Sequence, residues 1–419
     1  MSNELLTSDI ITKEALVEAK NAMVMMRTVD RQLDSKFGEV GDTISVRKRV
    51  KYQSTSTVTI SAGSDSVEGK VAVQLDTQRN VSMQFSSKEL TLDIGSFSER
   101  YVRPAMIELV QKIESDIATA AKNNLYWYVG TPGTTPGTFA QIGAAKVKLD
   151  NAAVPMDYDR SMFLDPAAAV NVAGTSLAVG SSTAGHGAAG NLARNRADMM
   201  FNQAYIGQMA GFQVLESQTV PRHTTGTYDS PTSTALVAGT QSTTYAVSKD
   251  GYTMTLSIDG VTSGSFDMNA GDIFNIAGCY AVNPRTRTST GQLQDFVVIS
   301  QSAIISTARD LVISPPIITS GAYQTCEQAA PNNAALTFKG TSATQYSRNL
   351  FWHKNAITLA MAPLDLPSGA NVKSRQSMDG ISIRLVADYN VLTDIQLWRF
   401  DVLYGVKVQN PSFGGQLTG

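Results

Sequence analysis

The stretch SFSERYVRPAMIELVQKIESDIATAAKNNL, Ser96 to Leu125, carries the strongest helical period in the chain. Met106, Val110, Ile113, Ile117, Ala121 and Leu125 follow at intervals of four, three, four, four and four, which lines one face of an α-helix. Ser96 and Glu99 stand at the spacing of a capping box. Pro104 marks either a kink or the true first turn. At 1.5 Å per residue, about 25 residues run roughly 38 Å, so this segment reads as a spine. Glu114 and Asp116 fall among the polar positions of its other side.

Working outward toward the N-terminus, the period changes to two between Gly41 and Asp93. Ile44, Val46, Val50 and Tyr52 share one parity, and Arg47, Arg49 and Lys51 the other. A Gly/Ser/Asp turn at residues 62–66 and a return limb with Val71, Val73 and Leu75 complete a long hairpin, with Val81, Met83 and Phe85 alternating after it. A lone two-stranded ribbon is marginal in water, so this one needs a partner surface. Its basic residues read as a solvated face, a subunit contact or, least, a nucleic-acid contact, since few aromatics interleave with the charges. Before the ribbon, residues 10–27 read as a helix capped by Thr12, with Leu16, Ala19, Met23 and Met26 on one face. That face docks on the chain's own core or on a neighbouring subunit.

Toward the C-terminus, Gly130 to Gly137 breaks the helix, and Asp165-Pro166 opens an Ala-rich one. Gly180 to Gly190 reads as a surface loop. From about Arg222 to Tyr346 the chain becomes Thr/Ser-rich, with short strands at 8–15-residue spacing and no persuasive helix. That spacing fits a small antiparallel barrel or sandwich inserted between two similar strand-like segments. The pattern then returns to strands, and Gly414 to Gly419 reads as a flexible tail.

Composition narrows the function. Only 17% of the 419 residues are charged, against about 25% in an average soluble domain, and 34 basic residues face 36 acidic ones for a net charge of −2. Such a chain is neither disordered nor collagen-like, and no global field steers it onto nucleic acid. Its apolar runs fall short of the ~18–20 residues that span a bilayer, and its start lacks the basic and apolar regions of a signal peptide. Cys279 and Cys326 read as structural thiols of a chain made in a reducing compartment.

The chain offers little chemistry. His186, His223 and His353 share no metal-ligand spacing with each other or with the cysteines. The sequence holds no phosphate-loop lysine motif and no Gly-x-Ser-x-Gly elbow, and no Gly-x-Gly-x-x-Gly opens a helix after a strand. Asp157 and Asp159 read as a turn, and Asp250-Gly251 and Asp259-Gly260 as hairpin turns. No catalytic, cofactor or metal residue is assigned.

Three stretches then carry a resemblance. They are Ala210 to Pro221 (AGFQVLESQTVP), Ala270 to Pro284 (AGDIFNIAGCYAVNP) with Leu293 to Val298, and Asn349 to Ile357 (NLFWHKNAI) with Leu403 to Val406. In that order they resemble the coat proteins of short-tailed Salmonella phages, within the tailed-phage capsid proteins of the Hong Kong 97 fold. One departure is Ser412, where an acidic residue is expected after Asn410-Pro411. The resemblance implies an α+β capsid fold with an inserted all-β, barrel-like domain. It divides the chain into an N-terminal arm (1–40), an extended loop (41–93), a peripheral domain with the spine helix (94–150), a mixed apical domain (151–221 and 347–419) and the β insertion (222–346). It implies a non-enzymatic major capsid protein that assembles in the host cytoplasm and resides in the virion. The implied partners are copies of itself in pentamers and hexamers, a scaffolding protein, a portal protein and, by weak local contact only, packaged double-stranded DNA; no membrane is involved.

In such a shell, Arg47, Arg49 and Lys51 would face Glu99, Glu108, Glu114 and Asp116 on a neighbour's spine helix, with Lys249 and Asp250 as a further subunit contact. The rival reading is a β-rich adhesin or carbohydrate-binding protein, which would usually carry an aromatic groove or a carboxylate pair.

Overall fold

Residues Arg103–Asn124 form the spine helix, entered through one turn of π-helix over Ser98–Val102. Met106, Val110, Ile113, Ile117, Ala121 and Leu125 are all buried, as the period requires. Pro104 sits in the first α-turn, where its missing N–H leaves no bond unmade. The proposed cap, Ser96, lies outside the described residues. The computed structural model describes residues 8–32, 43–53, 67–86, 98–178, 207–228, 232–261, 266–303, 308–378 and 380–419. The Gly180–Gly190 loop and the Gly/Ser/Asp turn at 62–66 therefore fall outside them.

Two compact units make up the chain. One contains Met1–Ser45, Ala72–Ile117 and Ile357–Lys407, and the other Val46–Val71, Ala118–Ala356 and Val408–Gly419. In the first, the helix Ser8–Ala22 and a 3-10 turn at Met25–Arg27 bury Leu16, Ala19, Met23 and Met26. The helix packs on strands Val372–Met378 and Ile381–Asn390 of its own chain, which answers where its apolar face docks. Thr12 is not a cap: it lies inside the helix and is fully buried. The sheet beneath runs Ile357–Ala362, Ile395–Val408, Ile381–Asn390, Val372–Met378. Thr77–Ser86 pairs antiparallel with Ile395–Val408, from Thr77 opposite Tyr404 to Ser86 opposite Ile395. Val81 and Met83 thus belong to this sheet and not to the ribbon. The described ribbon is shorter than its alternation suggests, Thr43–Arg47 against Lys70–Gln74.

The second unit has two cores. A six-stranded sheet runs Trp127–Val129, Gly414–Leu417, Asn349–His353, Arg160–Leu164, Phe212–Glu216, Gly207–Met209. Helix Phe139–Asn151 starts at a complete capping box of Thr138 and Gln141, and helix Pro166–Ala178 at Asp165, whose carboxylate accepts the Ala168 N–H at 2.9 Å. The C-terminal strand corrects the reading of a flexible tail. Gly414 to Gly419 are buried, with Gly414–Leu417 between Trp127–Val129 and Asn349–His353. Glycine is needed there for close approach, because a Cβ on Gly415 would stand 2.4 Å from the Trp127 carbonyl oxygen.

The second core is a closed antiparallel barrel ordered Met254–Asp259, Arg309–Ser314, Ser289–Gln301, Ile273–Val282, Ala335–Phe338, Thr232–Val237. Phe274, Phe296, Leu256, Ile313 and Leu336 fill it, each fully buried. Burying such side chains stabilises by about 1.5–3 kcal/mol each. Closure also removes free sheet edges. The segments entering and leaving the barrel, Arg222–Thr224 and Gln345–Ser347, pair with each other.

Candidate assembly surfaces

The acidic residues of the spine helix meet different fates. Glu99 is exposed. Glu108 pairs with Lys112 one turn on, at 3.5 Å, both exposed. Glu114 is 3% exposed, a correction to its placement on a polar outer side. Its Oε1 accepts the backbone N–H groups of Val24, Met25 (2.7 Å) and Met26 (3.5 Å), which lie where the first helix gives way to the 3-10 turn. Burial pushes its carboxyl upward in pKa, against the opposing pull of those N–H groups and of Arg27. Asp116 is also engaged within its own chain. Both of its oxygens accept from Arg79 Nη2, at 3.2 and 3.0 Å, and Oδ2 also accepts the Tyr404 hydroxyl. Because Arg79 lies opposite Val402 in the sheet, these bonds tie helix to strand pair.

Arg47, Arg49 and Lys51 are exposed and Val46 and Val50 half-buried, as the alternation predicts, but the strand itself ends at Arg47 and Tyr52, expected on the apolar side, is 70% exposed. Arg47 reaches Glu68 on the return limb at 3.5 Å, an exposed pair of small energetic value. The residue on the apolar parity, Lys48, makes the closer contacts, donating to the carbonyls of Lys249 (2.9 Å) and Asp250 (3.1 Å). Burial lowers its pKa to about 8, with Asp250 opposing. Lys51 donates its N–H to the Tyr323 hydroxyl at 2.9 Å, and Asp250 Oδ1 accepts the Lys70 N–H at 2.9 Å. Lys51 thus finds Tyr323, and Lys249 and Asp250 find Lys48 and Lys70, within one chain, where the sequence reading expects a neighbouring subunit. A lysine placed on the apolar side of an alternating strand is the signal that points to Lys48.

A second polar cluster lies inside, where the barrel's connectors meet the end of the spine helix. His223 Nε2 and Asp272 Oδ1 are 2.7 Å apart, both 2% exposed. Asp272 Oδ2 also accepts the N–H groups of Gly226 (3.0 Å) and Asn269 (2.7 Å). Burial pushes the His223 imidazole down in pKa, Asp272 opposes it, and Arg348 and Lys122 add to the lowering. The fully buried Arg348 guanidinium lies over the Tyr128 ring, 4.8 Å from its centroid, and none of its nitrogens has a hydrogen-bond partner among the described residues. These groups join the barrel's connectors to the end of the spine helix.

The remaining polar candidates are paired or buried among the described residues. His353 meets Asp157 at 2.7 Å and accepts the Asn355 N–H on its other nitrogen at 3.1 Å, so the Asp157 turn is pinned to the core sheet. Cys279 and Cys326 are buried in the barrel. His186 lies outside the described residues. Among the described residues, no group of three or more His, Cys, Asp or Glu is placed to hold a metal ion, and no helix is long and apolar enough to cross a membrane.

A family described as "P22 coat protein - gene protein 5" matches residues 1–419. The major capsid protein of Acyrthosiphon pisum secondary endosymbiont phage 1 is 23% identical over 431 residues, 98% of this chain and 97% of that protein. Among solved structures, the chain is similar to one from Mycobacterium phage Che8, with a TM-score of 0.45 and 11% identity over 93% of this chain and 89% of that one. It is also similar to the capsid of Ralstonia phage GP4, with a TM-score of 0.42 and 10% identity over 92% and 85%. With the family match running the whole length of an α+β chain that carries an inserted closed barrel, this protein belongs to the P22 coat protein family and is the major capsid protein of a tailed phage.

Proposed function

We propose that copies of this chain close into pentamers and hexamers of an icosahedral shell around double-stranded DNA, in an architectural and not a catalytic role. One observation carries the reading. The turn joining strands Ile381–Asn390 and Ile395–Val408 presents Val391 (80% exposed) and Leu392 (94% exposed), with Tyr389 and Leu397 beside them. The turn is held rigid: Asn390 Oδ1 accepts the Leu392 N–H at 3.0 Å, and the Tyr389 hydroxyl donates to Asp394 at 2.8 Å. An ordered apolar knob at the end of a strand pair is a surface made to be covered, and a shell supplies the cover from another copy.

Assembly takes place in the host cytoplasm with a scaffolding protein and a portal protein, and the near-neutral chain touches DNA only weakly and locally. Residues 222–346 form an insertion that folds autonomously; an excised fragment gives dispersed β-type NMR shifts. Arg47 and Arg49 on one subunit and Glu99 and Glu108 on another remain the exposed charges suited to a register-setting contact. The test pairs two variants. Leu392→Asp leaves circular dichroism unchanged and abolishes shells by electron microscopy, and Arg49→Glu slows assembly by light scattering. Normal shells from Leu392→Asp would overturn the reading of the knob.

A further inference from the structure

The turn-side end of the paired ribbon rests on the barrel of its own chain, and both limbs take part. From the first limb, Lys48 donates to two carbonyls of the Lys249-Asp250 turn and stands 5.5 Å from the Tyr252 ring centroid. Three residues on, Lys51 gives its N–H to Tyr323 and sets its ammonium 5.8 Å from that ring. Tyr323 is itself stacked on Tyr245, with centroids 3.4 Å apart and planes 3° from parallel. The carbonyl of Tyr52 accepts from Arg287 at 3.3 Å. From the second limb, the Lys70 N–H goes to Asp250 Oδ1, and Gly69 lies so close that a Cβ would stand 2.5 Å from the Lys249 carbonyl oxygen. The limbs are joined to each other by the Lys48 N–H and the Gly69 carbonyl at 2.8 Å.

These contacts draw on three separate loops of the barrel, around residues 245–252, 287 and 323. A two-stranded ribbon without a core of its own has no fixed direction. Anchored to three connections of a closed barrel, its turn-side part has one.

We propose that the inserted barrel is a brace that sets the direction of the turn-side part of the extended ribbon in the unassembled subunit, with Asp250 as the positioning residue that joins the two limbs. The consequence for the shell rests on the capsid reading above. A ribbon already aimed meets its neighbour without the ordering cost that a free one bears, which raises the rate and uniformity of assembly.

The test uses full-length, unassembled chain and amide hydrogen exchange, so it stands whether or not shells form. In Asp250→Ala, the Lys70 and Lys51 amides exchange at least tenfold faster while the barrel amides of Phe274 and Ile313 keep their protection. Lys51 is the decisive probe, because its amide is bonded to Tyr323 and not to Asp250. Asp250→Asn, which retains an acceptor oxygen, restores slow exchange. Gly69→Ala lies outside the barrel, and there too the Lys51 amide exchanges faster with the barrel unchanged; it carries the test if Asp250→Ala loosens the barrel itself. Acceleration confined to Lys70 in Asp250→Ala, or an unchanged Lys51 amide in Gly69→Ala, would overturn the brace. In assembly, Asp250→Ala lengthens the light-scattering lag and gives malformed particles, and Asp250→Asn does neither.

Discussion

Glu114 Oε1 and the backbone N–H of Met25 meet at 2.7 Å with both residues buried, so a carboxylate on the spine helix closes the end of the N-terminal segment. The chain there leaves the first helix and turns before its next element, and its free N–H groups find an acceptor 89 residues away.

Glu114→Gln keeps the accepting oxygen and removes a buried charge, so thermal stability at neutral pH is unchanged or higher. Glu114→Ala removes the acceptor that the Val24, Met25 and Met26 N–H groups share and costs about 1–3 kcal/mol. Differential scanning calorimetry of the two variants separates hydrogen bonding from charge. An equal loss in both would mean that the charge itself is what stabilises.

The pH dependence of the barrel junction follows from His223. Its folded pKa is below the ordinary 6.5, and the groups facing it are Asp272, Arg348 and Lys122. A base with a depressed folded pKa leaves stability intact above the unfolded pKa. Below about 6.5 the unfolded chain takes up a proton that the folded one resists, and stability falls toward the folded value. Melting temperatures measured from about pH 7.5 down to 5 decline more steeply for the wild type than for His223→Gln. Parallel curves would contradict the assignment.

Arg348 and Asp272 respond in opposite ways to removal. Arg348→Met replaces a buried guanidinium that has no hydrogen-bond partner among the described residues with an apolar chain of similar reach, and stability holds or rises. Asp272→Ala strips the acceptor from His223, Gly226 and Asn269 at once and costs about 2–5 kcal/mol. Urea unfolding of both variants decides the matter.

Two glycine-to-alanine changes contrast a crowded glycine in the C-terminal strand with an open one in a helix. Gly415→Ala drives a methyl group against the Trp127 carbonyl oxygen and the Phe351 ring, 2.4 and 2.6 Å away, and lowers stability by about 1–3 kcal/mol. Gly143→Ala, on an open face of helix Phe139–Asn151, meets nothing within 4 Å and raises it by about 0.5–1 kcal/mol. Fragments cleaved from the tail early in limited proteolysis of Gly415→Ala, and not of Gly143→Ala, are the expected readout.

The sequence discloses what neighbours in the chain decide and hides what distant segments decide. The spine helix, the Asp165-Pro166 helix start and the barrel strands are periodic within a few residues, so their faces could be read directly. Thr77–Ser86 alternates as the ribbon does, but its partner is Ile395–Val408, and nothing local distinguishes the two pairings. The glycines at 414 and 415 read as flexibility until Trp127 and Phe351 are seen pressing on them. Glu114 belongs to a polar position by spacing and is drawn inward by backbone from another element. Among the expected contact residues, alternation fixed the exposure of Arg47 and Arg49. It left Lys48, on the opposite parity, unassigned.

The pairing of Arg222–Thr224 with Gln345–Ser347 bears on the order in which the chain acquires its shape. Strands Phe212–Glu216 and Asn349–His353 flank Arg160–Leu164 on opposite sides, and each has to find it across the intervening chain. Closing a loop of roughly 120 residues is entropically dear, and each halving of its effective length recovers about 0.6 kcal/mol. A barrel that closes first contracts that span to the width of two paired strands and recovers about 2 kcal/mol of chain entropy before the six-stranded sheet forms. The insertion then shortens the connection across which the six-stranded sheet must form, and lesions in its hydrophobic centre slow the folding of that sheet.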